Sequence, residues 1–267
     1  MRKYWHVINI GVQNTLVYRV NFLFRSIFAL IPLFATISLW RDIYEGKGGT
    51  AVAGYTLAQM TSYYLVVTIV DALTGVTEDD WQIAADIKDG RISQFLLKPI
   101  DYLTYRFCLF GAGRLIYMAV ALVPVALFIL YLRKYFVLPA DWTTFGWFSV
   151  SLVMTAALQF LISYTLALLA FWLLEISTFI FIVFAFEYIA GGHLFPLDIL
   201  PTAVAKALSF TPFPYQMFFS VSIYVGKVTG PALYKGLLIQ AMCVLIAYAT
   251  ARFMWNRGIR KYSAVGG

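Results

Sequence analysis

Charge is scarce in this chain. Asp, Glu, Lys and Arg together make up 12% of 267 residues, about half the share of a soluble domain, and 61% of positions are hydrophobic. That balance excludes a water-soluble globule. Cysteine is nearly absent: Cys108 and Cys243 both fall inside apolar runs, where a thiol behaves as a small apolar group, so no disulfide framework is implied. The only histidines, His6 and His193, lie far apart and have no cysteine or carboxylate cluster near them in sequence, which argues against a metal centre or a His-activated nucleophile. The phosphate-cradling pattern G-x-x-x-x-G-K-[ST] is missing too. The glycines of "EGKGG" lack its spacing, so no ATP hydrolysis and no enzyme activity are expected of this chain. Internal repeats and low-complexity tracts are not visible. A cleavable signal peptide is not expected either, because about 20 polar and aromatic residues precede the first apolar run.

Long apolar runs are what the chain does have. Residues 22–40, 57–77, 107–132, 145–172, 176–194 and 236–254 each approach or exceed the roughly 20 residues that cross a hydrocarbon core at 1.5 Å per residue. The expectation is an all-α membrane protein with six spans in a single domain, 1–267. The net charge of +7 is spread over the ends of the runs rather than gathered in one patch, so it reads as topology and not as a nucleic-acid surface. With both termini cytoplasmic, Arg2, Lys3, Arg19, Arg25, Lys88, Arg91, Lys98, Arg106, Arg114, Arg252, Arg257, Arg260 and Lys261 fall on the inner side, the larger share of the basic residues.

The pieces between the runs are informative. Residues 1–21 place Trp5, Ile8, Val12, Leu16 and Val20 on one helical face and Lys3, His6, Asn9, Gln13 and Asn14 on the other, the pattern of a helix lying at the membrane surface. Little separates the fourth and fifth runs, so they form a tight hairpin with Glu175 at its turn. Residues 195–235 are cut by Pro196, Pro201, Pro212, Pro214 and Pro231 into pieces too short to span, predicting two short outer helices that dip back towards lipid or cap the bundle.

The most charged stretch, "EDDWQIAADIKDGRISQFLLKP", sits between the second and third runs, within a cytoplasmic segment 78–106. Asp79 or Asp80 is placed to cap a helix starting at Trp81, and Gly90 to end it in the left-handed conformation. So short a helix needs an external hold. Trp81, Ala84, Ala85 and Lys88 share one side, Ile83 and Ile87 another, and Asp86, Asp89 and Arg91 crowd the tip, as in a ball made for a partner's socket. The following "ISQFLLKP" is apolar enough to lie along the interface.

Charges inside the spans need a reason, because burying one in hydrocarbon costs at least a few kcal/mol. Asp71 and Arg114 both lie roughly 10 Å deep, which leaves two readings: a pair that locks the two helices flanking the insert, or two charges that each snorkel to water or face a wet vestibule. Glu187 is deeper, a candidate for cargo binding, proton uptake or anchoring of the outer helices. Gln59, Gln159 and Gln240, with Tyr63, Tyr64 and Tyr164, are candidates to line a pathway or to bond helices together.

The stretches "DGRISQFLLKPID", "LLAFWLLEIS", "GGHLFPLDILP", "LSFTPFPYQMF" and "RGIRKYSAVGG" resemble the membrane subunits of type-2 ATP-binding cassette exporters, the branch of short bacterial permeases encoded beside an ATPase. The resemblance implies a multi-pass protein of the bacterial cytoplasmic membrane, paired with a second permease, identical or related. It implies cytoplasmic ATPase subunits that hold the ATP and Mg. The coupling helix seated in the ATPase would then comprise Asp80, Trp81, Ile83, Ala84, Asp86, Ile87, Lys88, Asp89 and Arg91, with Glu175 as a second contact. The rival reading is an ion- or proton-coupled secondary transporter or channel using Asp71 and Glu187.

Overall fold

The computed structural model describes residues 2–76, 79–173 and 175–262. The described residues form helices, and the β-type contact among them is an isolated antiparallel bridge between Val52 and Tyr55. Helix α1 (Arg2–Leu16) precedes α2 (Arg19–Gly46) and α3 (Leu57–Thr74). The inserted segment carries α4 (Asp79–Lys88) and α5 (Ile92–Leu96). Then come α6 (Tyr102–Tyr131), α7 (Trp142–Ala167), α8 (Ser177–Ala190), the short α9 (Thr202–Leu208) and α10 (Phe218–Tyr224), and the long α11 (Gly230–Lys261).

Four helices are long and apolar enough to cross a membrane: α2, α6, α7 with its 3-10 continuation to Phe171, and α11. The runs at 57–77 and 176–194, expected as the second and fifth of six spans, form shorter helices. Helix α3 has 18 residues, about 27 Å, and is largely buried inside the bundle. Helix α8 has 14 residues, about 21 Å, short of a core roughly 30 Å thick. Its end is set by a tertiary contact. Gly192 has φ +88°, and a Cβ there would stand 2.8 Å from Tyr63 Oη and 2.9 Å from Phe218 Cβ, so the chain turns where only glycine fits. The turn is then bonded down: Tyr63 Oη donates to Gly192 O (2.5 Å), Tyr64 Oη to Leu194 O (2.9 Å) and Tyr55 Oη to Asp198 Oδ2 (2.7 Å).

Two apolar cores hold the bundle. One, around Tyr44, Met60, Tyr63, Leu158, Met217 and Ile223, joins α2, α3, α7, α10 and α11. The other, around Ile83, Ile87, Tyr102, Phe160, Tyr164 and Ala251, joins α4, α6, α7 and α11. The proline-cut segment does contain two short helices, with different fates. Helix α9 is mostly exposed, whereas α10 is buried from Phe219 to Tyr224 against α7 and α3. In α1 the face that packs on α6 includes Tyr4, Val7 and Gly11, while Trp5 of the apolar stripe is 63% exposed, and Gly11 lets the helices approach to where a Cβ would meet Ala112 Cβ at 3.0 Å.

Candidate functional site

Helix α4 begins at Asp79, two residues before the expected start at Trp81, so Asp80 lies inside the helix. The Trp81 N–H to Asp80 Oδ1 contact (2.9 Å) is therefore not a cap bond, whereas Gly90 does end the segment in the left-handed conformation, at φ +75°. Its hold comes from within the chain. Ile83, Ala84 and Ile87 are buried, packed with α7 and the 3-10 turn Leu168–Phe171. Asp86 is not at a solvated tip: it is 5% exposed and ion-paired with Arg106 of α6. Tyr102 Oη donates to Asp86 Oδ2 (2.7 Å), Arg106 Nε donates to Tyr102 Oη (2.9 Å), and Arg106 Nη1 donates to Gln82 Oε1 (3.2 Å). A carboxylate and a guanidinium removed from water survive because each meets the other and both meet further polar atoms. What α4 leaves outside is a rim: Trp81, Gln82, Lys88, Asp89 and Arg91, with Arg91 Nη2 2.8 Å from Asp89 Oδ2.

The segment is moored at its far end as well. Tyr262, past the end of α11, donates its hydroxyl to Gly90 O (2.9 Å) and lies 3.0 Å from Ser93 Oγ. Asp101 caps α6 through the Thr104 N–H (3.0 Å) and is held in a two-pronged pair by Arg252 of α11, one prong being Nη2 to Oδ2 at 3.0 Å. Its own N–H donates to Tyr4 Oη (3.3 Å), and Lys3 Nζ donates to Pro99 O (2.5 Å), which ties α1 to the same joint. Partial burial pushes the Asp101 carboxyl up, but hydrogen bonds from Arg252 and Thr104 outweigh it and hold the pKa down at about 2. Glu175 is exposed and accepts the Ser177 N–H (2.7 Å) at the start of α8; hydrogen bonds from Ser177 keep its carboxyl below the usual range.

A cavity of about 140 Å³ lies between α3, α7 and α8, and the start of α4. Asp71, Asp80, Gln159, Ser163, Glu187 and His193 supply its polar lining. His193 is therefore not remote from carboxylates: its Nε2 is 4.0 Å from Asp71 Oδ1, and its ring stacks on Tyr188 at 5.2 Å. The expected Asp71–Arg114 pair is not among the ion pairs of the described residues. Asp71 turns into this cavity, while Arg114 turns towards α1 and α2 and lies over the rings of Tyr117 (5.1 Å) and Phe110 (6.0 Å). The two residues sit on helices in contact but face opposite sides of that contact.

The three glutamines separate. Gln59 closes a capping box with Thr56 at the start of α3. Gln240 is fully buried, donating to Tyr215 O (2.9 Å) and Thr155 Oγ1 (3.1 Å) and accepting from Ser151 Oγ (2.8 Å), in a network that Ser220 joins. Gln159 lines the cavity and donates to Gln216 O (3.0 Å). Arg106, Tyr102, Asp101, Arg252 and Tyr262, which fasten the inserted segment, were not singled out as site residues by sequence reading. The one local signal was Asp101 three residues before Thr104, a capping spacing.

Two comparisons with known proteins bear on this arrangement. The family model described as "ABC-2 family transporter protein" matches residues 30–266. No curated protein matches the chain.

Proposed function

Because the chain belongs to the ABC-2 family of transporter proteins, a family of multi-pass membrane transport components, we propose that it is the permease subunit of an ATP-driven exporter. In this reading a separate ATPase binds ATP and Mg, and the chain works with a second permease, identical or related, in a bacterial cytoplasmic membrane. Both termini and α4 face the cytoplasm. The observation that carries the reading is the construction of α4: fastened from inside by Asp86 and Arg106, it presents outward a short rim of Trp81, Gln82, Lys88, Asp89 and Arg91. A helix held this way transmits a push without melting. Closure of two ATPases around ATP would move α4, and with it α6 through Arg106 and α11 through Tyr262, so that the pathway alternates between inner and outer access.

The test is co-purification of the full chain with its ATPase. Trp81→Ala combined with Lys88→Glu should reduce retained ATPase at least tenfold while the chain stays folded and monodisperse; undiminished retention would reject the reading. The carboxylates and His193 of the 140 Å³ cavity favour the second reading, ion- or proton-coupled transport. Proteoliposomes distinguish the two, since uphill cargo movement should require nucleotide and not a proton gradient.

A further inference from the structure

The 140 Å³ cavity between α3, α7 and α8 is built as a set of acceptors. Gln159 and Ser163 stand one turn apart on α7 and so share a face, as do Ile180, Phe184, Glu187 and Tyr188 on α8, and both faces line the cavity. Gln159 is 5% exposed, and its Nε2 donates to Gln216 O (3.0 Å). The amide is thereby oriented. Its Oε1, which has no hydrogen-bond partner among the described residues, is the atom it brings to the cavity. Ser163 Oγ is buried and likewise without a partner among the described residues. The half-buried Glu187 carboxylate takes part in no ion pair or hydrogen bond among the described residues, and the ion pair of Asp71 with His193 Nε2 is 4.0 Å long, beyond hydrogen-bond reach. No lysine or arginine lines the cavity among the described residues.

A carboxylate held away from bulk water calls for a cation, because burial without a counter-charge is costly. A bare metal ion is the poorer match. It needs several ligand groups converging on one point, and no such group of three among His, Cys, Asp and Glu exists in the described residues. A protonated amine carries up to three N–H donors pointing in different directions, so acceptors spread around the walls suit it: two carboxylates, an amide oxygen and a hydroxyl. The rest of the wall, Leu166, Ile180 and Phe184, is apolar. An amine with an apolar body is therefore matched at both ends.

We propose that this cavity binds the protonated amine end of an organic cation, with the apolar part of the molecule against Leu166, Ile180 and Phe184. Binding itself requires neither nucleotide nor a partner chain. That the bound amine is the exported cargo rests on the exporter reading, to which it adds a substrate class.

Equilibrium dialysis of radiolabelled phenethylamine against the full chain in detergent tests the site. Binding should be saturable, and phenethyl alcohol, of similar shape without the charge, should compete at least tenfold more weakly. Glu187→Gln and Asp71→Asn should each weaken binding about tenfold, the effect of one hydrogen bond to a charged group. Neither change removes a side-chain hydrogen bond among the described residues, so both variants should stay folded and monodisperse. Glu45→Gln, the same change of charge at an exposed residue of α2, should bind as wild type does. Absence of saturable binding, equal competition by the alcohol, or wild-type binding by either carboxylate variant would each overturn the proposal. Displacement of phenethylamine by stoichiometric Ca²⁺ would do so as well, by making this a metal site. The co-purification test of the exporter reading measures ATPase retention and not amine binding, so either can fail alone.

Discussion

Replacing Asp86 by Asn would strand the Arg106 guanidinium in a position only 6% exposed. Breaking one side of a buried pair costs about 3–5 kcal/mol, while removing both partners costs far less. Unfolding measurements on D86N, R106Q and the double variant should therefore show strong non-additivity, with the double variant losing less than either single one. Additive losses would mean the two side chains do not act together. Asp101 offers a pH-dependent counterpart. Its folded pKa of about 2 lies below the ordinary value of 3.8, so the stability it contributes is complete above that value and is lost as pH falls towards 2. Asp101→Asn keeps a good capping side chain but removes the charge. The difference in thermal midpoint between wild type and D101N should hold from pH 7 to 5 and shrink between about 4 and 2. At this scale the sequence was legible where chemistry is local, as at Gly90. It was misleading where charge meets distant charge: Asp86 reads as a wet tip because Arg106 lies beyond α5 and the turn into α6, and Asp71 was assigned to Arg114 when His193 stands closer.

Among the elements, α8 shows most clearly what periodicity leaves out. By hydrophobicity the run reaches Leu194, although Gly191 and Gly192, which mark a helix end, directly follow Ala190. The stop is made by Tyr63 and Phe218, residues from other helices that leave no room for a Cβ at Gly192. Gly192→Ala should therefore cost more than the 1–3 kcal/mol of left-handed backbone strain, because it also displaces the Tyr63 hydroxyl. Gly226→Ala is the control. Gly226 has φ +78° but nothing within 4 Å of an added Cβ, so its loss should be limited to the backbone contribution. Chemical denaturation of both variants checks the order; an equal or larger loss at Gly226 would contradict it. The proline-cut segment was readable as two short helices, but proline marks where a helix cannot continue and not what it packs against. That α10 is buried follows from Ser220 joining Ser151 and Thr155, partners visible only in the folded chain.

For the molecule as a whole, low charge together with uninterrupted apolar runs of about 20 residues was enough for a helical membrane protein, since runs of that length span as helices and not as barrel strands. Span number was less legible, because a run of apolar residues reports hydrophobicity and not the length of helix that survives packing. The 14 residues of α8 have a further consequence. At about 21 Å the helix leaves some 9 Å of an average hydrocarbon slab without a matching hydrophobic length. Thinning of the surrounding lipid relieves such a mismatch at a fraction of a kcal/mol per ångström. Because α2, α6, α7 and α11, with 26 to 32 residues, each match a full slab, such a thinning is confined to the lipid beside α8.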